Sequence, residues 1–151
     1  MLAACVSPRE ATTQVIHWDN LVEVTMVKIL VAEDETDIRE LVAFSLINIG
    51  GFDVVKAKNG AEAVVLAQKE IPDLILMDVR MPQMTGYQAC AALKKIPATK
   101  DIPVVFLSAK GQEQEIKEGI SVGAEEYILK PFAPDLLTKK VREILQRWNK
   151  L

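Results

Sequence analysis

Short apolar runs alternate with amphipathic stretches along most of the chain. The apolar runs are five or six residues long and rich in valine, isoleucine and leucine, as buried strands are; they span 27–32, 52–57, 73–78, 103–108 and 126–130. The stretches that follow them are polar or carry apolar residues at helical spacing, and they predict helices over 36–50, 59–70, 87–95, 112–123 and 134–148. Strand and helix thus alternate five times, which predicts one α/β domain: a parallel sheet with helices on both faces.

Several of the predicted helices carry start or stop residues. Asn59, with Glu62 three residues later, is typical of a capping box. Pro134 suits the first turn of the last helix, and Gly50 with Gly51 ends the first one. These signals place the helix boundaries independently of the apolar pattern.

Residues 1–25 lack this alternation, and Met26 stands directly before the first apolar run. We therefore expect a folded domain over 26–151. The N-terminal extension, 1–25, is expected either to lie outside the natural protein or to be poorly ordered. Peptides from before Met26 in the natural protein would contradict the first of these expectations.

Composition excludes several classes of protein. Half of the residues are hydrophobic and 26% are charged, which indicates a globular chain rather than a disordered one. The formal net charge is −3 and no basic cluster with interleaved aromatic residues occurs, so we expect no direct contact with nucleic acid. Cys5 and Cys90 are in no metal-ligand spacing, which favours a reducing cytoplasm. No apolar run approaches the roughly 18 residues of a membrane helix, so we expect no membrane segment.

Polar side chains follow four of the five predicted strands. Glu33 and Asp34 follow the first, Asp78 ends the third, Ser108 the fourth and Lys130 the fifth. Ligands of doubly wound sheets bind at the carboxyl ends of the strands, so these residues are expected to converge at one edge. Carboxylates that lie close together repel one another unless a cation joins them, and an all-oxygen set favours Mg²⁺. The group suits an aspartate that attacks phosphorus, with metal and ammonium neutralising the charge.

Four motifs carry a resemblance to a known family. In order, "VAEDE", "LMDVRMPQMTG", "FLSAK" and "YILKPF" resemble the receiver domain of bacterial two-component response regulators, and the likeness runs from about residue 28 to 148. The resemblance implies a flavodoxin-like, doubly wound (βα)5 fold with a five-stranded parallel sheet in the order 2-1-3-4-5. It also implies a stand-alone receiver domain that binds Mg²⁺ and takes a phosphoryl group from a histidine kinase.

The resemblance assigns a phosphoacceptor and a metal site. Asp78 is the phosphoacceptor it implies. Asp34 and Asp78 are expected to hold Mg²⁺ directly, Glu33 through water, and the backbone carbonyl of Arg80 is expected to complete the protein ligands.

Three further residues receive roles in the same way. Ser108 is expected to hydrogen-bond the phosphoryl group and Lys130 to pair with it. Tyr127 is expected to be the aromatic residue that moves with the switch, together with Ser108. The resemblance also implies a cis peptide bond between Lys130 and Pro131.

Departures from the family pattern give two more expectations. Arg80 and Lys110 lie two residues beyond Asp78 and Ser108, where relatives control access of water to the phosphate. Two cations there lead us to expect slow self-dephosphorylation. Ala133 stands where relatives often have a capping residue, so the last helix is expected to begin less firmly, by about 1 kcal/mol.

The function implied is a switch that catalyses only its own phosphorylation and dephosphorylation. The phosphoryl group is expected to come from a sensor histidine kinase or a histidine phosphotransfer domain. The signal is expected to pass to an unknown protein that binds the 112–148 face, or to act through a homodimer formed there on phosphorylation. Three rival functions make different demands on the sequence. A catalytic enzyme of the haloacid-dehalogenase type needs an aspartate as general acid where Arg80 stands, and a nucleotide-binding protein needs a glycine-rich loop after the first strand. A non-phosphorylated docking module remains the alternative.

Overall fold

The computed structural model describes residues 14–17, 22–108, 117–118 and 120–151. The described part contains seven strands and four helices with defined bounds, together with helical residues at 117–118 and 120–121. The strands are β1 (Gln14–His17), β2 (Val22–Thr25), β3 (Lys28–Ala32), β4 (Asp53–Ala57), β5 (Leu74–Asp78), β6 (Val104–Ser108) and β7 (Glu126–Leu129). The helices are α1 (Thr36–Asn48), α2 (Gly60–Glu70), α3 (Gly86–Lys95) and α4 (Pro134–Arg147).

Strands β3 to β7 form one parallel sheet in the order β4-β3-β5-β6-β7. Numbered from its own first strand, this order is 2-1-3-4-5, and the predicted flavodoxin-like fold is confirmed. Two of the three inner strands, β5 and β6, are buried along their whole length, which explains their unbroken apolar sequence.

The core has two layers because successive residues of a strand face opposite sides of the sheet. Ile75, Met77 and Phe106 pack with α2 and α3 on one side. Leu74, Leu76 and their neighbours pack with α1 and α4 on the other. Cys90 is buried in the first layer as a small packed side chain, and burial raises the pKa of its thiol to about 11.

The helix ends follow local chemistry closely. Asn59 accepts a hydrogen bond from the Glu62 backbone N–H at 2.8 Å, as predicted. The Glu62 carboxylate binds the N–H of Lys58 rather than that of Asn59, so only half of a capping box forms. Ala133 makes no side-chain cap at the start of α4, which agrees with the expected weak start.

Predicted and observed ends of the described elements differ by at most two residues. Helix α1 ends at Asn48, two residues earlier than predicted, because the chain leaves the helix before Gly51, whose φ is 72°. Of the helix predicted over 112–123, residues 117, 118, 120 and 121 are helical; 109–116 and 119 lie outside the described residues.

Residues before Met26 contain an element that the sequence did not predict. Strands β1 and β2 pair antiparallel, with Gln14 opposite Thr25 and His17 opposite Val22. Each strand has only four residues, too few for a distinct alternation, which is why the pattern missed them. Whether the extension belongs to the natural protein remains a prediction. Within the described part of the chain, no helix combines the length and apolarity needed to cross a membrane.

Candidate functional site

The carboxyl ends of β3, β5, β6 and β7 meet at one edge of the sheet and bring the predicted site residues together. Strand β3 ends one residue before Glu33, and its neighbour β5 ends at Asp78. Oxygen atoms of Glu33, Asp34 and Asp78 lie within 4.8 Å of one another. The convergence expected from a doubly wound sheet is therefore present.

The ammonium of Lys130 contacts two of these carboxylates, those of Glu33 and Asp78. Its Nζ donates a hydrogen bond to Glu33 Oε1 at 2.7 Å and lies 3.3 Å from Asp78 Oδ1. Its backbone N–H donates to the carbonyl oxygen of Ser108 at 2.7 Å, one residue beyond the end of β7. The Lys130–Pro131 peptide bond is cis, as the resemblance implied.

Glu33 is wholly buried and both of its carboxylate oxygens accept hydrogen bonds. Oε1 accepts from Lys130, and Oε2 accepts from the backbone N–H of Glu35 at 3.2 Å. Because both oxygens are engaged within the chain, Glu33 is well placed to orient Lys130. A contact from Glu33 to a metal through water stays a prediction.

The pKa values of Glu33, Asp78 and Lys130 are shifted from their ordinary values. Burial raises the pKa of Glu33 from its ordinary 4.5 to about 7, although the hydrogen bond from Lys130 opposes the rise. Burial also raises the pKa of Asp78, against the opposing charge of Lys130. For Lys130, burial lowers the pKa, but the hydrogen bond to Glu33 and the charge of Asp78 outweigh it and the pKa is raised.

The donor set fits Mg²⁺. With all three carboxylates ionised, the ammonium of Lys130 leaves two negative charges uncompensated, and one divalent cation would balance them. All three side chains offer oxygen, the ligand atom that Mg²⁺ prefers, and Asp34 is exposed, so that water can complete the coordination. Direct contacts of Asp34 and Asp78 with the ion stay a prediction.

Ser108 and Tyr127 lie on the same face of the sheet. Ser108 is buried and follows Phe106 by two residues, so both side chains point to the same side. Tyr127 stands opposite Phe106 in the register, with the ring centroids 5.4 Å apart. The predicted switch residues are therefore on adjacent strands and share one face.

The loop after Asp78 is held by two close approaches of the backbone. A Cβ atom at Gly86 would collide with the carbonyl oxygen of Asp78, and one at Gly60 would collide with the carbonyl oxygen of Met84. The Gly86 N–H also donates to the carbonyl of Val79 at 2.9 Å. Glycine at these positions lets α3 and α2 fix the wall of the site.

The roles expected of Arg80 and Lys110 in the lifetime of the phosphate both stay predictions. Arg80 is exposed on the loop two residues past Asp78, and its carbonyl as a metal ligand stays a prediction. Lys110 lies outside the described residues, so its expected role also stays a prediction.

Sequence reasoning missed two features beside the site. Tyr87 hydrogen-bonds Tyr127, hydroxyl to hydroxyl, at 2.8 Å. Thr85 and Gln88 form a complete capping box at the start of α3, which the Thr-x-x-Gln pattern could have revealed. Nothing in the sequence pairs the two tyrosines, because their contact depends on the order of the strands.

Comparison with known proteins gives consistent matches. A family model described as the response regulator receiver domain matches residues 29–142. The "Probable transcriptional regulator ycf27" of Porphyra purpurea is 39% identical over 124 residues, 82% of this chain and 49% of that protein. The phosphate regulon transcriptional regulatory protein PhoB of Escherichia coli is 42% identical over 120 residues, 80% of this chain and 52% of that protein. The chain spans about half the length of these curated relatives.

Solved structures give the same result. The chemotaxis protein CheY4 of Vibrio cholerae is similar with a TM-score of 0.76 and 35% identity, covering 80% of this chain and all of that one. The receiver domain of the Francisella response regulator 1452 has a TM-score of 0.72 and 30% identity, covering 80% of this chain and 98% of that one. From its sequence, strand order and acidic strand ends together, the chain belongs to the response regulator receiver domain family.

Proposed function

We propose that this chain is a phosphorylation-controlled switch in two-component signalling and that Asp78 is its phosphoacceptor. The observation that carries the proposal is the placement of Asp78: buried at a strand end, within 4.8 Å of two other carboxylates and 3.3 Å from the ammonium of Lys130. A carboxylate so placed serves as a nucleophile when positive charge gathers around the group that it attacks.

The reaction transfers a phosphoryl group from a histidine of a sensor kinase or a phosphotransfer domain. A carboxylate oxygen of Asp78 forms a bond to phosphorus while the bond between phosphorus and the imidazole nitrogen breaks. The released imidazole keeps the bonding electron pair and takes a proton from water. Lys130 neutralises charge on the phosphoryl oxygens, and Ser108 donates a hydrogen bond to one of them.

Asp34 and Asp78, with the backbone carbonyl of Arg80, would hold Mg²⁺, and Glu33 would contact it through water. When bound, the ion neutralises the carboxylates and the equatorial phosphoryl oxygens. Glu33 meanwhile orients Lys130, because its Oε1 accepts a hydrogen bond from Nζ at 2.7 Å.

After transfer, a phosphoryl group with roughly −1.5 to −2 charges stands in place of the single negative charge of the Asp78 carboxylate. The fold responds through Ser108 and Tyr127. Ser108 moves toward the phosphate and Tyr127 takes the space that it leaves. The surface of 112–148 then differs between the two states, and a partner protein or a second copy of the chain recognises one of them. Arg80 and Lys110 obstruct the attacking water and lengthen the lifetime of the phosphate.

Control of transcription is a second candidate for the output. The curated relatives named above carry that function in their names, and the chain matches about half of their length. Residues 26–151 are not proposed to contact DNA directly. Western analysis of the natural protein separates the candidates: a band at the size of 151 residues supports output through a separate partner, and a band about twice that size supports a fused effector.

The proposed chemistry is tested by intact mass after incubation with acetyl phosphate. One phosphoryl group should be added in the presence of Mg²⁺, and addition should fall sharply when EDTA is present. Asp78→Asn should remain unmodified, while Asp73→Asn, at the opposite end of the same strand, should be modified like the wild type. If Asp78→Asn is phosphorylated as fast as the wild type, the proposal is wrong. If neither the wild type nor any variant is phosphorylated, the alternative of a docking module that works without phosphorylation gains support.

A further inference from the structure

Tyr87 and Tyr127 are the only tyrosines in the chain, and they bind each other. The hydroxyl of Tyr127 donates to the hydroxyl of Tyr87 at 2.8 Å. Both side chains are half-buried, and both pack on the ring of Phe106, with centroid distances of 5.1 Å for Tyr87 and 5.4 Å for Tyr127. The three rings form one cluster on the face of the sheet that also carries Ser108.

The hydrogen bond joins two segments that belong to the site. Tyr87 lies in the first turn of α3, directly after Gly86, whose backbone packs against the carbonyl of Asp78. Tyr127 lies on β7, three residues before Lys130. The pair of hydroxyls therefore bridges the loop of the phosphoacceptor and the strand that carries the ammonium.

Packing alone does not require the two hydroxyls. Phenylalanine would fill the same volume and keep the contacts of both rings with Phe106. What the hydroxyls add is a directional restraint that fixes the position of Tyr127 relative to α3. Any movement of Tyr127 away from Tyr87 lengthens or breaks this hydrogen bond.

We infer that Tyr87 is a positioning residue whose hydroxyl holds Tyr127 in the unphosphorylated arrangement and thereby sets the resting balance of the switch. This inference rests on the proposed function, since it concerns the residue that responds to phosphorylation of Asp78. Loss of the hydroxyl weakens one state only, so the population of the other state rises. An active-like state that is populated more often reacts more often with a phosphodonor.

The size of the effect follows from one neutral hydrogen bond at a half-buried site. Tyr87→Phe should accelerate phosphorylation by acetyl phosphate about fivefold, which corresponds to about 1 kcal/mol. Tyr127→Phe removes the same bond from the other side. If the bond is what matters, the double variant should be no faster than the faster single variant, because the second change removes nothing more.

Ring-labelled tyrosine gives a spectroscopic test, because the chain should show only two tyrosine signals by NMR. Tyr87→Phe and Tyr127→Phe assign them. With beryllium fluoride and Mg²⁺ as a mimic of the phosphoryl group, the Tyr127 signal of the wild type should shift. In unphosphorylated Tyr87→Phe, the Tyr127 signal should already lie part of the way along the line from the wild-type position to the beryllium fluoride position. If the Tyr87 hydroxyl only stabilised the fold, the variant would unfold at lower urea concentration and the Tyr127 signal would not move along that line.

The outcomes separate the inference from the proposed function. Faster phosphorylation of Tyr87→Phe, with the Tyr127 signal displaced toward the beryllium fluoride position, supports the inference. A rate within twofold of the wild type, or a Tyr127 signal displaced off that line, overturns it and leaves the phosphorylation of Asp78 intact. Absence of phosphorylation in the wild type overturns the proposed function and the inference together.

Discussion

Lys130 connects the charges of the site, and its two contacts are unequal. The hydrogen bond to Glu33 is short and reaches a fully buried carboxylate, whereas the distance to Asp78 is 3.3 Å. Removing the ammonium would leave a buried carboxylate without its partner, which is costly. We interpret Glu33 as the residue that keeps Lys130 in place, while the weaker contact leaves Lys130 able to follow a phosphoryl group on Asp78.

The close approach of Gly86 to the backbone of Asp78 predicts the effect of a larger side chain at position 86. Gly86→Ala places a Cβ atom against the carbonyl oxygen of Asp78, and the backbone of the loop has little room to retreat. We expect a loss of about 1–3 kcal/mol in the free energy of unfolding, as is typical of overpacking, and slower phosphorylation by acetyl phosphate. Urea unfolding and intact mass measure the two effects.

A Gly86→Ala protein with wild-type stability and wild-type phosphorylation would show that α3 does not position Asp78 through this contact. Stability lost without any change in phosphorylation would limit the role of the contact to folding.

At the scale of elements, the strands were the more predictable part. The unbroken apolar run before Asp78 reflects a strand buried on both faces. Asp78 is buried as well, and its carboxylate lies 3.3 Å from the ammonium of Lys130. Helix ends were predicted where side chain and backbone interact within a few residues, as at Asn59. The β1–β2 pair was missed because each strand is too short for a pattern to stand out.

The start of α4 gives a prediction for a single element. Ala133 has φ −79° and ψ 137°, the extended backbone that suits an N-cap residue, but its side chain makes no hydrogen bond. Ala133→Ser should raise the free energy of unfolding by about 1 kcal/mol, because a hydroxyl can accept from an unpaired N–H in the first turn. Urea denaturation measures the change.

Thr85→Ala is the matched control, since Thr85 caps α3 through the N–H of Gln88. It should lower the free energy of unfolding by a similar amount. An unchanged midpoint for Ala133→Ser, beside a lowered midpoint for Thr85→Ala, would show that the last helix does not depend on its cap.

At the scale of the whole molecule, strand order decides what a sequence reveals. Asp78, Glu33 and Asp34 could be predicted, because the carboxyl ends of parallel strands share one edge. Lys130 and Glu33, which contact each other, are 97 positions apart in the chain. Tyr87 and Tyr127 meet because both of their rings pack on Phe106. Both depend on β6 and β7 lying side by side and on which face each side chain occupies, which local pattern does not specify.

The most direct test of the central claim is to locate the phosphoryl group. Treatment of the phosphorylated protein with borohydride reduces an aspartyl phosphate to homoserine, and peptide sequencing by mass spectrometry then identifies the position. We predict homoserine at residue 78 only after incubation with acetyl phosphate and Mg²⁺, with Asp34 and Asp73 unchanged. Homoserine at another aspartate, with residue 78 still aspartate, would contradict the assignment of Asp78 as the phosphoacceptor.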